Sequence, residues 1–153
     1  MSSDPFASRP ERHRPQAGRP QDPNPEIETL VADFYAAFDN RDARVPDIEA
    51  MRKLFAASAA ITRIAQGSAE CWSPDAFLAP RIAMMTEGRL TDFHEWEVEA
   101  RTRVLANIAS RWSTYEKAGR LDGADYRGRG HKFIQMYREA EGWRISAILW
   151  EDD

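Results

Sequence analysis

Between Phe93 and Ala118 the chain carries neither glycine nor proline, and its residue types are those of strands throughout. Globular strands average about five or six residues, so so long a run must reverse on itself. Asn107 marks the place, because asparagine tolerates positive φ better than other non-glycine residues. A two-residue turn at Ala106-Asn107 sets Leu105 opposite Ile108, and directly opposed residues share a face of the sheet. One face then carries Trp96, Val98, Ala100, Thr102 and Val104 with Ala109, Arg111, Ser113 and Tyr115. The other carries Glu95, Glu97, Glu99, Arg101 and Arg103 with Ser110, Trp112 and Thr114, and reads as solvated. The first face is the apolar one, so it is expected to meet the rest of the fold and to bring Arg111, Ser113 and Tyr115 inward. Interior polar groups need partners, and a charge needs them most.

What precedes this run is helical. Asn24-Pro25 is an N-cap followed by proline at the first helical position, and Ile27, Leu30, Val31, Phe34 and Phe38 recur at helical spacing to about Asn40. A second helix is expected after Pro46, with Ile48, Met51, Leu54 and Phe55 inward, then a short strand over Ala59–Ala65. Ser73-Pro74-Asp75 opens a third helix that Gly88 ends. After Leu90 everything reads as sheet, closing with "HKFIQMYR" and "WRISAILW" joined at Glu139–Gly142. Lys117–Gly130 reads as a long glycine-rich loop whose Arg120, Arg127 and Arg129 could attract an anion over a pocket mouth. Helices followed by a strand meander make an α+β chain, and 153 residues suit one domain. Residues 1–25 hold six of the nine prolines and almost no large apolar side chains, so they are expected to form a disordered Pro/Arg-rich tail ahead of a folded domain at 26–153.

On these elements, with "LFAASAAI" between second helix and first strand, "LANIA" at the hairpin and "GWRISAILW" at the end, the chain resembles the nuclear transport factor 2-like superfamily. This SnoaL-like, ketosteroid isomerase-like group also includes scytalone dehydratase and polyketide cyclases. The resemblance covers about residues 26–153. It implies a cone in which three helices pack on a curved, mostly antiparallel sheet enclosing a pocket. It does not carry the isomerase's chemistry with it. Setting "FYAAF" and "LFAASAAITR" against that enzyme places Phe34 at its oxyanion tyrosine, Arg63 at its general-base aspartate and Ile134 near its second oxyanion donor. Phenylalanine cannot donate a hydrogen bond and arginine cannot act as a base near neutral pH. The catalytic trio is absent.

The same placement turns Arg63 and Arg111 into the pocket, where two guanidiniums suit a carboxylate or another small anion. Ser113 and Tyr115 add hydroxyls, while Phe34, Trp96, Ile134 and Met136 supply apolar wall. The competing reading pairs each arginine with an interior acid such as Asp33. His94 alternates onto the pocket face and, with Tyr115, is a candidate for moving a proton, although one β-bulge would turn it outward. His13 lies in the tail and His131 on the opposite face beside Trp150. Three scattered histidines and the single Cys71 make no metal-ligand spacing, so no metal or other cofactor is expected.

A net charge of −4 with pI near 5.5 gives no field for nucleic acid or an anionic membrane, and no apolar run reaches the ~20 residues of a membrane span. One cysteine and no visible signal segment suit a cytoplasmic protein. On the outer face, the hairpin registers bring Trp112, Phe133, Ile148 and Trp150 together, a density of aromatic surface that implies a partner. Dimerisation through the sheet, which the resemblance also implies, makes a homodimer the expected assembly. Three functional classes follow: a pocket for a small anionic or polar ligand, a small lyase, isomerase or cyclase using His94 or Tyr115, and a dimerisation module with a vestigial pocket.

Overall fold

The computed structural model describes residues 23–153. The expected tail lies, but for its last three residues, outside the described residues. Helix α1 (Pro25–Ala36) starts where the cap signal put it: the Asn24 side chain accepts from the Glu26 and Ile27 amides at 3.0 and 3.2 Å. Its buried residues Ile27, Leu30, Val31, Phe34 and Tyr35 form one stripe. A 3-10 turn (Arg41–Ala43) and a short α2 (Ile48–Arg52), capped by Asp47, lead to β1 (Phe55–Ala65). Helix α3 (Pro74–Thr86) is capped by Ser73 and contains Pro80, and Gly88 beyond it adopts φ 74.

The sheet has six strands in the order β2 (Ser68–Trp72), β1, β6 (Gly142–Asp152), β5 (Ala124–Glu139), β4 (Ile108–Leu121), β3 (Leu90–Leu105), and is curved and unclosed, with β1–β6 its one parallel pair among the described residues. Strand β1 is longer than expected, and a second strand, β2 (Ser68–Trp72), pairs with it through a tight turn at Gln66-Gly67. Strands β3 (Leu90–Leu105) and β4 (Ile108–Leu121) make the anticipated hairpin, with Leu105 opposite Ile108, although the positive φ of 53° falls on Ala106. The expected Lys117–Gly130 loop does not exist. Strand β5 (Ala124–Glu139) stays paired with β4 to the Asp122-Gly123 turn, where both residues have positive φ as a type I′ turn requires. Strand β6 (Gly142–Asp152) follows.

Two irregularities decide what faces inward. In β3, Glu99 opposes Thr114 but Glu97 opposes Tyr115, leaving Val98 as an extra, exposed residue. The residues of β3 from Phe93 to Glu97 exchange faces, until a further register shift between Thr91 and His94 returns Leu90 to the inner side. Trp96 and His94 leave the cone, and Glu95 and Glu97 enter it. In β6, Met136 opposes Ile145 but Gln135 opposes Ala147, so Ser146 is the extra residue. Ile148 and Trp150 therefore point inward and are buried, contrary to the expected outer cluster. Leu149 takes the outer position, in one row with Phe133 and Trp112. His131 stacks near Trp112, not Trp150.

The "RGRG" stretch also finds its reason here. Gly128 and Gly130 face the interior on β5, beneath Lys117 and Tyr115 of β4. A Cβ on Gly130 would sit 2.6 Å from the Tyr115 hydroxyl and closer still to the Glu151 carbonyl, whereas one on Gly128 would meet only the Lys117 side chain. The glycines let both side chains cross β5 to reach Asp152 on β6. Gly130→Ala should therefore destabilise the fold by about 1–3 kcal/mol, the usual cost of overpacking. Gly128→Ala should cost less, because a lysine stem can move aside. Thermal melts of the two variants check this, and equal stability would contradict it.

Candidate functional site

The concave face of the sheet and the helices enclose a cavity of about 280 Å³. Its apolar wall is mainly aromatic: Phe34 from α1, Phe38 from the turn after it, Phe77 from α3, Phe93 from β3, Tyr126 from β5 and Trp150 from β6. Trp72 stacks behind Trp150 at a centroid distance of 5.8 Å, and Phe77 meets Trp150 edge-on at 5.5 Å. Such a wall holds its shape through packing that is itself favourable.

The charged lining is unbalanced. Arg63, Arg81, Lys117 and Lys132 face the cavity, against two carboxylates, Glu95 and Asp152. A chain of net charge −4 thus encloses a locally cationic space. Asp152 collects much of this charge. It accepts from the Tyr115 hydroxyl and from Lys117 Nζ at 3.1 Å, and Arg63 Nη2 lies 3.5 Å away. Burial alone would raise the Asp152 carboxyl, but these donors outweigh it and hold the group below the usual carboxylate range. Burial, with Asp152 beside it, pushes the Tyr115 phenol far above its ordinary value, so it stays protonated and donates.

Lys132 is the deepest cation. Its ammonium ion-pairs with Glu95 and sits 3.4 Å from the centre of the Tyr115 ring and 4.8 Å from that of Tyr35. Burial pushes its amine below the ordinary lysine range, with Glu95 acting in the opposite direction. Arg81 differs from the other three cations. It forms no ion pair with a carboxylate among the described residues. Its Nη1 donates to the Phe77 carbonyl at 2.9 Å, and its guanidinium lies 3.7 Å from the centre of the Phe77 ring. Burial lowers it to about 10, so it remains charged at neutral pH. Arg63 adds another unmet donor, since its buried Nε has no hydrogen-bond partner among the described residues.

Of the residues expected at the pocket, Phe34, Arg63 and Tyr115 line this cavity. Arg111 does not. It is 5 % exposed, and its Nε donates to Glu97 at 3.0 Å while Nη1 donates to Glu28 and to Thr102, each at 2.7 Å. Burial weighs against its charge, yet the two acids more than offset this and raise its pKa. Ser113 belongs to the same network. Its single hydrogen goes to Glu97 at 2.6 Å, so the Tyr35 hydroxyl at 2.7 Å is the donor to Ser113. Glu28 and Glu97, not Asp33, are the interior acids that Arg111 finds. Ile134 and Met136 are core residues beneath the helices. Trp96 and His94 stack at 4.6 Å in a cleft between α1 and β3, outside the cavity.

Arg81, Lys132 and Trp150 were missed, although two of them had signals. Helical spacing puts Arg81 on one face with Phe77 and Met85. Strand alternation puts Lys132 on one face with Ile134 and Met136. Each is a charge in an apolar series, which is a better pointer to a lined cavity than a charge in a mixed one.

Replacing Arg111 with Met should strip the half-buried Glu97 of its counterion, leaving only Ser113 donating to it, and cost on the order of 3 kcal/mol. Affinity for anything held in the cavity should be unchanged. Denaturant unfolding and calorimetry separate the two effects, and an unaltered unfolding midpoint would contradict the structural role.

No protein-family model matches this chain, and no curated protein matches it in sequence. Solved structures do match it in three dimensions. One is described as a putative Ca/calmodulin-dependent kinase II association domain from Exiguobacterium sibiricum, at TM-score 0.67 and 14 % identity, over 87 % of this chain and 97 % of that one. LinA aligns at TM-score 0.67 and 14 % identity over 84 % of both chains. An NTF2-like protein with a cystatin-like fold from Novosphingobium aromaticivorans aligns at TM-score 0.62 and 17 % identity, over 82 % of this chain and 79 % of that one. Identities this low establish a common fold and nothing about a common reaction.

Proposed function

The chain has the nuclear transport factor 2-like fold, and from that premise we propose that it binds a small organic anion, a carboxylate on an aromatic or otherwise apolar body, in the cone cavity. The observation that carries this is Arg81. A guanidinium lowered by burial and given no carboxylate is a cost to the folded state, because desolvation is not offset by an ion pair. A bound carboxylate would offset it, with Arg63 supplying a second fork and Lys117 and Lys132 the surrounding field. Phe34, Phe77 and Trp150 would hold the apolar body, and Tyr115 would stay committed to Asp152. Four cations set against two carboxylates also weigh against a vestigial pocket, since a cavity without a ligand has no use for surplus charge.

The test exploits opposite signs. Arg81→Met should raise the melting temperature, by removing a half-buried charge that has no carboxylate partner among the described residues. The same change should weaken binding of 1-naphthoate about tenfold to a hundredfold, the worth of a charged hydrogen bond. Naphthalene-1-methanol, which lacks the charge, should bind both proteins weakly and alike. Calorimetry and thermal melts decide it. A less stable Arg81→Met protein with undiminished naphthoate affinity would make Arg81 a structural residue.

For the enzymatic alternative, Tyr115 is inside the cavity and His94 is not, so a lyase or isomerase here would not use His94. Cys71 is exposed and free, which fits a reducing compartment such as the cytoplasm. No helix among the described residues is long and apolar enough to cross a membrane.

The outer sheet face supports a homodimer on a revised set of residues. Trp112, Phe133 and Leu149 form one row across β4, β5 and β6, with Phe133 50 % and Leu149 45 % exposed. Such a row is self-complementary about a two-fold axis. Phe133→Glu should convert a dimer to a monomer in size-exclusion chromatography with light scattering, while the melting profile of the folded protomer is retained. A wild-type monomer at micromolar concentration would refute this interface.

A further inference from the structure

Building on the anion-binding reading of the cavity, we propose that Lys132 is a reactive amine that forms an imine with the carbonyl of an oxo-carboxylic acid whose carboxylate rests on Arg63 and Arg81. Three features of the cavity lead there.

The first is placement. Across the inner face, Arg63 on β1 opposes Trp150 on β6, which opposes Lys132 on β5. Arg81 approaches the same indole from α3, its guanidinium carbon 5.7 Å from the ring centroid. Two arginine forks and one amine therefore surround a single aromatic platform. A ligand lying on Trp150 with its carboxylate toward the arginines turns its neighbouring carbonyl toward Lys132.

The second is the surroundings of the amine. Lys132 is 6 % exposed, packed on the rings of Tyr115 and Tyr35, and still lines the cavity. Desolvation among apolar groups is a recognised way of making a lysine nucleophilic, and burial does lower this amine.

The third is a proton acceptor with no other commitment. Asp152 is shared by Tyr115, Lys117 and Arg63 and is locked as a carboxylate. Glu95 pairs with Lys132 alone among the described residues. Imine formation needs the amine's lone pair, and Glu95, in contact with Lys132, is placed to take the proton that frees it.

The chemistry balances within these groups. The Lys132 Nζ lone pair attacks the carbonyl carbon, forming the C–N bond as the C=O π electrons move to oxygen. The ammonium so formed loses a proton and the carbinol oxygen gains one, with Glu95 relaying it. A second transfer releases that oxygen as water and leaves C=N. No oxidant or reductant takes part.

The chain has three lysines, Lys53, Lys117 and Lys132, which makes the test direct. Full-length protein is incubated with phenylpyruvate and sodium cyanoborohydride, then digested and mapped by mass spectrometry. The expected result is one reduced-imine adduct on Lys132, absent from Lys132→Arg, which keeps the charge beside Glu95. Calorimetry with phenyllactate, which has the carboxylate but no carbonyl, is run in parallel. Phenyllactate binding with no adduct on Lys132, or an adduct mainly on Lys53 or Lys117, overturns the reactive amine while leaving the anion site intact. If neither compound binds and no adduct forms, the anion site itself fails.

Discussion

Two cations buried in this fold, Arg111 and Lys132, each need a carboxylate, and both carboxylates come from β3 because that strand bulges at Val98. The bulge turns Glu97 toward Arg111 and Glu95 toward Lys132. Without it the same strand would present Trp96 and His94, Lys132 would lie inside the cone with no counterion, and Arg111 would keep only Glu28 of α1. An uncompensated interior charge costs several kcal/mol, more than a local break in one ladder. The bulge is thus held by electrostatics on one side of the sheet, and it opens the space that β3 shares with the cavity. Asn40 secures the same strand near its start, where its side chain donates to the Leu90 carbonyl at 2.7 Å and accepts from the Phe93 amide at 2.7 Å.

The interior charges divide by how completely they are answered. Arg111 has Glu28, Glu97 and Thr102 and serves the fold. Lys117 and Arg63 share Asp152, which Lys117 reaches from β4 because Gly128 and Gly130 leave β5 bare beneath it, and which Arg63 approaches from the neighbouring β1. Lys132 has Glu95 alone. Arg81 has a backbone carbonyl and aromatic faces. This gradient runs from the β3–β4 side of the sheet toward α3, so the least satisfied charge lies where the helices meet the strands. Groups left short of partners in a folded protein are the ones that a ligand can satisfy, and stability given up there reappears as affinity.

The bulge at Ser146 acts on the other side of the cone. By turning Ile148 and Trp150 inward it gives the cavity its indole platform, and it leaves Leu149 outside beside Phe133. One inserted residue therefore sets both the chemistry of the pocket and the composition of the outer face. The two proposals drawn from those faces depend on the same backbone event.

Local order was legible in the sequence because local chemistry governs it. Asn24-Pro25 and Ser73-Pro74 start helices through contacts within a single turn, and the spacing of Ile27, Leu30, Val31 and Phe34 orients α1 without reference to anything distant. The Ala106-Asn107 reversal likewise follows from the length of the run it must fold. Asp122-Gly123 carries an equally local turn signal, set among other glycines that dilute it. What the tertiary structure alone decided is which side of a long strand faces in. Alternation assigns faces only relative to a neighbour in an unbroken ladder. Val98 and Ser146 interrupt their ladders with no glycine or proline to announce it, because the bulges answer to charges and side chains on other strands. Arg111 as a structural ion pair, and the meeting of Arg63, Arg81, Lys132 and Trp150 around one cavity, follow from those two breaks and from the docking of α3. They are long-range agreements among elements, and no single stretch of chain contains them.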